Sequence, residues 1–218
     1  MERRKKNMRN KTPSSAIVLI VIVVLIMIIG GCTNIKHAPL EIHYYTIEYD
    51  PPQAVNAPPL PYIVKIEQFQ VSPLYDSNRI VIKNEDFTRD EFIYHKWSAH
   101  PGELVSFFLA RDFSETRRFQ ASLYYESSLP YTHLITGVVE DYFLQAGGVN
   151  EAVLSIAINL VDNTRRGQGN SILMQKKYRL SVETHKGDPP GLAKAMSTAV
   201  QQISAQILND VYSVLENE

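Results

Sequence analysis

Residues 153–160 read VLSIAINL, and the alternation is strict: Leu154, Ile156, Ile158 and Leu160 share one face, while Ser155, Ala157 and Asn159 share the other. Period two marks a half-buried β-strand, because successive side chains leave opposite faces of the pleat. The flanking runs, 133–144 and 172–184, join it through AGGVN (146–150) and DNTRRGQGNS (162–171). Gly-containing connections between such runs close hairpins. A three-stranded antiparallel meander is therefore the predicted spine of the fold.

Past this meander the period changes. In GDPPGLAKAMSTAVQQISAQILNDVYSVL (187–215), Leu192, Met196, Ala199, Val200, Ile203, Ile207, Val211 and Leu215 recur at helical spacing, with Lys194, Gln201, Gln202 and Asn209 opposite. Asp188 is placed to cap the helix, with prolines at its first turn. The broad stripe fits one helix packed on the sheet; a coiled-coil or partner-facing helix is the alternative.

On the N-terminal side, PYIVKIEQF (61–69) and SNRIVIKN (77–84) alternate as half-buried strands, and 92–97 adds another. YYTIEY (44–49) is rich in aromatic and β-branched residues and reads as a strand. Pro51, Pro52, Pro58, Pro59 and Pro61 make the segment after it an extended surface crossing, or a polyproline partner motif. WSAHPGE (97–103) starts a helix: Ser98 or His100 as cap, Pro101 in the first turn and Glu103 at the positive end. That helix is predicted to reach Thr116 and to carry Leu104, Val105, Phe107, Phe108 and Leu109 toward the sheet. The fold class expected is α/β of the α+β kind: a mostly antiparallel sheet with two main helices on one face.

The first forty residues obey different rules. Net charge is +5 before Cys32 and −6 after it. A basic stretch, an apolar run from Ala16 to Ile29 and two small residues precede the only cysteine, in the order of an export signal. The run is short for a spanning helix, which needs about 20 apolar residues. An uncleaved signal anchor with a buried thiol remains the other reading. The mildly acidic remainder lacks the basic footprint of a nucleic-acid binder. With a single cysteine no disulfide can form within the chain, so stability must come from the core.

Ile29-Gly30-Gly31-Cys32 resembles a bacterial lipobox, with Ile29 where leucine is usual. The resemblance implies cleavage after Gly31, a diacylglyceryl thioether on Cys32 and an N-acyl chain, of palmitate type, on its amine. More than one chain makes such anchoring stable. The organisation implied is a signal peptide over 1–31, a lipidated tether over 32–40 and one domain over 41–218. Thr33, where an Asp would favour inner-membrane retention, implies the periplasmic face of the outer membrane.

Motifs for catalysis are missing. The sequence contains no G-x-S-x-G and no H-E-x-x-H, and RRGQGN (165–170) lacks the ending of a phosphate loop. His37, His43, His95, His100, His133 and His185 do not recur at metal-ligand spacing, although His95 and His100 are close enough in sequence to meet at the helix start. The pairs Glu85-Asp86, Asp90-Glu91 and Glu140-Asp141 alternate faces if they lie in strands, so adjacency creates no dyad. No catalytic residue, metal or cofactor is expected beyond the covalent lipid.

The word order YDSNRIVIKNEDFTRDEFIYHKWSAHPGELVSFFLARDFSETRRFQASL (75–123) resembles the ABC-type transport auxiliary lipoprotein family, which includes the lipoprotein of the Pqi system. The shared pattern is a strand like 79–83, a Trp followed by a helix like 97–109, and a segment like 119–123 leaving that helix. The lipobox and YYTIEY fit it too. The resemblance implies a non-catalytic accessory part of an MCE-type lipid transporter. Its partners would be an MCE-domain protein and ABC transporter components, with phospholipid and a second copy of the chain as further candidates.

Two docking candidates stand out. Trp97, the only tryptophan, is either a core anchor at the junction of sheet and helix or an interface hot spot. LYYESSLPYTH (123–133) places Tyr124, Tyr125 and Tyr131 in a loop, where they either bind a partner or cover the sheet edge. The competing functions are a structural lipoprotein of another envelope machine, of lipopolysaccharide-export or secretin type, and a periplasmic lipid carrier.

Overall fold

The computed structural model describes residues 15, 19, 20, 22, 40–164, 172–184 and 186–218. The chain divides into two units, Met1–Leu40 and Glu41–Glu218, and the second carries the fold. Among the described residues no helix is long and apolar enough to cross a membrane.

Strands β7 (His133–Gln145), β8 (Glu151–Asp162) and β9 (Ile172–Glu183) form the antiparallel meander. Leu154, Ile156, Ile158 and Leu160 are all buried, as their alternation requires. The far edge of β7 is not served by one strand. Three short strands take it in turn, all parallel to it: β2 (Leu60–Ile66) at its start, β3 (Gln70–Val71) at its middle and β4 (Arg79–Lys83) at its end.

The sheet therefore forks beyond β7. Outside β2 lies β6 (Phe119–Leu123), in parallel; outside β4 lie β5 (Arg89–Trp97), antiparallel, and then the three-residue β1 (His43–Tyr45), parallel to β5. The nine-stranded sheet is mixed, with antiparallel pairing in the long β7–β8 and β8–β9 ladders and in β4–β5, and parallel pairing in the rest. The expected α+β architecture holds. The strand expected over 44–49 shrinks to His43–Tyr45, because Thr46 leaves the sheet and Ile47 turns into the core.

Helix α1 (Pro101–Thr116) starts with His100 at the cap position and Pro101 at the first turn, but no side chain caps it. Leu104, Val105 and Leu109 face the core, whereas Phe107 is 47% exposed and Phe108 only half-buried. The expectation that all five share one face is corrected by geometry: at 100° per residue, five of six consecutive positions cannot point one way. Gly102 is buried where α1 crosses the chain leaving β2, and a Cβ there would lie 2.2 Å from the Phe69 carbonyl oxygen. Helix α2 (Pro189–Glu216) is capped by Asp188, whose carboxylate accepts from the Gly191 N–H at 2.9 Å. Its whole apolar stripe, from Leu192 to Leu215, is buried. The two helices pack against each other, α1 over β2, β6 and β7, and α2 over β8 and β9.

Candidate functional site

Cys32 and Gly31 lie outside the described residues, as do His37 and His185. Trp97 ends β5 in the core at 1% exposure, its ring edge-on to Tyr142 with centroids 5.1 Å apart. That place leaves it no docking surface. Neither the indole N–H nor the Tyr142 hydroxyl has a protein hydrogen-bond partner among the described residues. Burial alone drives the Tyr142 phenol far above the ordinary tyrosine range.

The tyrosine loop is tied down rather than free. Lys65 donates to the Ser127 carbonyl at 2.9 Å and holds its ammonium 5.5 Å from the Tyr131 ring centre. Asn163 donates to the Tyr131 carbonyl at 3.3 Å. Burial and then Glu115 raise the Tyr124 phenol; burial and then Glu126 raise Tyr125. Tyr124 meets Phe107 at 5.6 Å, Phe107 meets Phe108 at 5.5 Å, and Phe108 meets Tyr49 at 5.3 Å. Tyr124 thus closes a row of aromatic rings along the outer side of α1, while Tyr125 and Tyr131 are outside that row.

Arg111 backs this row, its guanidinium 4.3 Å from the Tyr49 ring centre and 4.7 Å from that of Phe108. It also donates to Asp112 Oδ1 at 2.8 and 3.1 Å and to the Tyr49 carbonyl at 3.0 Å. The Asp112 side chain is 3% exposed, and its Oδ2 accepts from Tyr49 Oη at 2.8 Å and Ser204 Oγ at 2.6 Å. Burial and then the Asp112 carboxylate push the Tyr49 phenol well above its usual range, so it remains a donor. Both carboxylate oxygens are thus occupied. Asp112 fastens the chain after β1, α1 and α2 to one another, and it has no acceptor left for chemistry.

Behind the network, between residues 50–55 and the two helices, lies an open cleft of about 550 Å³. Pro51, Pro52, Val55, Ala205 and Leu208 give it apolar walls. Arg118 stands at its rim, donating to Asn209 Oδ1 at 2.7 Å with its charge 5.2 Å from the Tyr212 ring centre. Neither the aromatic row nor the cleft was legible as a site, because Tyr49, Asp112 and Ser204 are distant in sequence. The only local signal was the FFLARD spacing on α1.

Elsewhere polar groups satisfy one another. A β-bulge between Val139 and Asp141 puts Glu140 and Asp141 toward the same cationic row, so the expected alternation of faces fails there. Glu140 pairs with Lys177 at 2.5 Å and Asp141 pairs with Arg179. Each carboxylate has its own cation, and no shared-proton dyad results. His95 meets Tyr45 Oη at 2.9 Å and stacks on His43, whereas His100 faces Asp76 at 3.4 Å; the two do not form a joint site. Among the described residues no cluster of metal-ligating side chains occurs.

Comparison with known proteins adds the family. No curated protein matches the chain. The crystal structure of protein XCC0632 from Xanthomonas campestris is similar at a TM-score of 0.68 and 11% identity, covering 81% of this chain and 97% of that one. A crystal structure of an uncharacterized protein is similar at 0.61 and 14%, covering 78% and 99%. At such identities the likeness speaks for the fold alone. The profile of the ABC-type transport auxiliary lipoprotein component matches residues 45–208, from β1 through most of α2, and the chain belongs to that family.

Proposed function

We propose that the protein is a non-catalytic docking lipoprotein, held by acyl chains on Cys32 at the periplasmic face of the outer membrane. Its folded body would receive the distal end of an MCE-type lipid transport assembly driven by an inner-membrane ABC transporter. The observation that carries this reading is the aromatic row Tyr49, Phe108, Phe107 and Tyr124 along α1, backed by Arg111. Interface hot spots are built from aromatic and arginine side chains on rigid elements. Here a buried carboxylate fixes the arginine, and a sheet fixes the helix.

A photo-crosslinking amino acid at Phe107 should capture an MCE-domain protein from intact cells, and one at Ser114, exposed near the end of the same helix, should capture less. Equal capture at both sites, or none, would sink the reading. For the anchor, mass spectrometry of the N-terminus should find an acylated Cys32, and Cys32→Ala should release the protein from outer-membrane fractions.

The cleft favours a second reading, a periplasmic lipid carrier. Its volume lies within the range of small-molecule sites, and its walls are apolar with one arginine at the rim. Phospholipid retained through purification and seen by native mass spectrometry would support it.

A further inference from the structure

The β4–β5 hairpin turns through Glu85, Asp86 and Phe87, between the paired Lys83 and Arg89. The Asn84 N–H donates to the Thr88 carbonyl at 3.0 Å, and Asp86 Oδ1 accepts from both the N–H and the hydroxyl of Thr88. Hairpin loops of this length place their last residue in the left-handed region, where glycine is the usual occupant. This chain has a phenylalanine there, at φ 67° and 87% exposed. A bulky side chain in that conformation is strained, and packing does not compensate here, because the ring touches almost nothing. A local rule broken on the surface without a structural gain points to a role outside the fold.

The neighbouring hairpin tip also exposes an apolar side chain. In β7–β8, AGGVN puts Val149 at 56% exposure. The two tips adjoin: β4 pairs with the end of β7, the Ala146 N–H donates to the Lys83 carbonyl, and the Glu85 carboxylate sits against Gly147. One end of the sheet thus presents two apolar side chains on touching loops.

Strand direction says what lies beyond that end. β1 runs parallel to β5 with His43 opposite His95, so the chain before His43 comes from the side of Arg89 and the hairpin tip. His43 is then six strand residues from Arg89 and eight from Phe87, about 26 Å. The eleven residues back to Cys32 can extend about 36 Å. That reach exceeds the distance from His43 to the tip, so a lipid anchor at Cys32 leaves the tips long enough a tether to meet the bilayer.

We propose that this end of the sheet rests on the membrane, with Phe87 and Val149 inserted at the lipid interface. The inference rests on the lipid anchor at Cys32. Tethering raises the local concentration of the tips at the bilayer, so two side chains suffice where alone they would bind weakly. Glu85, Asp86 and Asp90 against Lys83 and Arg89 leave the hairpin end net acidic by one charge, which fits headgroups that carry an ammonium, of the phosphatidylethanolamine kind, better than a strongly anionic surface. Aromatic insertion then fixes which face of the body looks away from the membrane, toward the transporter.

The test uses the full lipidated chain, whose only native cysteine would be blocked by the acyl thioether. Phe87→Cys, Val149→Cys and Leu129→Cys are labelled with an environment-sensitive fluorophore and reconstituted into phosphatidylethanolamine–phosphatidylcholine vesicles. Leu129, also exposed, precedes the start of β7 and so lies at the other end of the sheet. Probes at 87 and 149 should shift to the blue and lose most of their emission to doxyl-labelled lipid, and the probe at 129 should do neither. Raising the phosphatidylglycerol content should weaken the quenching at 87; unchanged quenching would overturn the headgroup assignment. A chain that floats with the vesicles while its probes at 87 and 149 stay in water overturns the insertion alone. Failure to float, with an intact leader in the mass spectrum, removes the anchor and the insertion together. Shielding at 87 seen only in whole envelopes, and absent on vesicles, assigns the tip to a protein and overturns the proposal.

Discussion

Phe87 and Tyr142 show how differently two aromatic side chains relate to stability. Phe87 occupies a glycine position at the surface, so Phe87→Gly should raise stability by about 1 kcal/mol through relief of the left-handed strain. Urea unfolding would measure this, and a loss would show that the ring packs on something in the folded state. Tyr142 is fully buried, and its hydroxyl has no hydrogen-bond partner among the described residues. Removing an unsatisfied polar atom while keeping the ring should be neutral or favourable, so Tyr142→Phe is expected to change stability by no more than about 1 kcal/mol. Trp97→Ala, by contrast, opens a cavity against the same ring and should cost about 3–5 kcal/mol. The comparison by thermal unfolding separates packing from hydrogen bonding at one contact. At this scale the sequence was partly legible: Asp188 as cap and Pro101 at a helix start follow from local chemistry. Phe87 was not, because loop type and φ depend on which strands pair.

Elements were legible where their pattern was long and pairing local. The meander and α2 carry ten or more periodic residues each, and hairpin connections make their partners neighbours in sequence. The short parallel strands on the other edge of β7 had no such signal; β3 has two residues, and its partner lies some seventy positions later. The site fared likewise, since the Asp112 network joins residues 49, 111, 112 and 204. It is nevertheless the fastening of α1 to α2. Asp112→Ala would leave the half-buried Arg111 without its carboxylate and the Tyr49 and Ser204 hydroxyls without their acceptor, and should cost about 3 kcal/mol, measured by denaturant unfolding. Gly102→Ala should also destabilise, by about 1–3 kcal/mol, since the added methyl meets backbone at Phe69 and one element must shift. On β9 the expected effect is one of pH. Hydrogen bonding from Lys177 holds the Glu140 carboxyl below its ordinary value, against burial. For Asp210, burial acts upward but hydrogen bonds from Lys176 and Tyr178 outweigh it, and its carboxyl too is lowered. Depressed carboxyls bind fewer protons folded than unfolded, so their stabilisation is full above the ordinary carboxylate range and is lost as pH falls through it. Unfolding midpoints should drop below about pH 4, and Lys176→Met with Lys177→Met should flatten that limb.

At the scale of the whole molecule, two surfaces compete for the functional role, and the fold makes them separable. The aromatic row lies on the outer side of α1; the cleft lies behind it, between the proline-rich crossing and α2. They share Asp112 but not their exposed residues. Phe107 is 47% exposed and its ring contacts are with Phe108 and Tyr124, so Phe107→Glu should leave the unfolding temperature within the small range typical of surface changes, about 0.5 kcal/mol in free energy. Ala205 is exposed on the cleft wall, and Ala205→Phe should fill part of the space with an equally small effect on stability. If the protein docks a transporter, Phe107→Glu abolishes co-purification of the MCE-domain partner while Ala205→Phe does not, because a charge in a hot spot is desolvated without a counter-ion. If it carries lipid, the pattern reverses: Ala205→Phe loses retained phospholipid, and Phe107→Glu keeps it. Both variants retain the anchor and the fold, so membrane fractionation and unfolding serve as internal controls. The docking reading fails if Phe107→Glu still recovers the partner at the wild-type level.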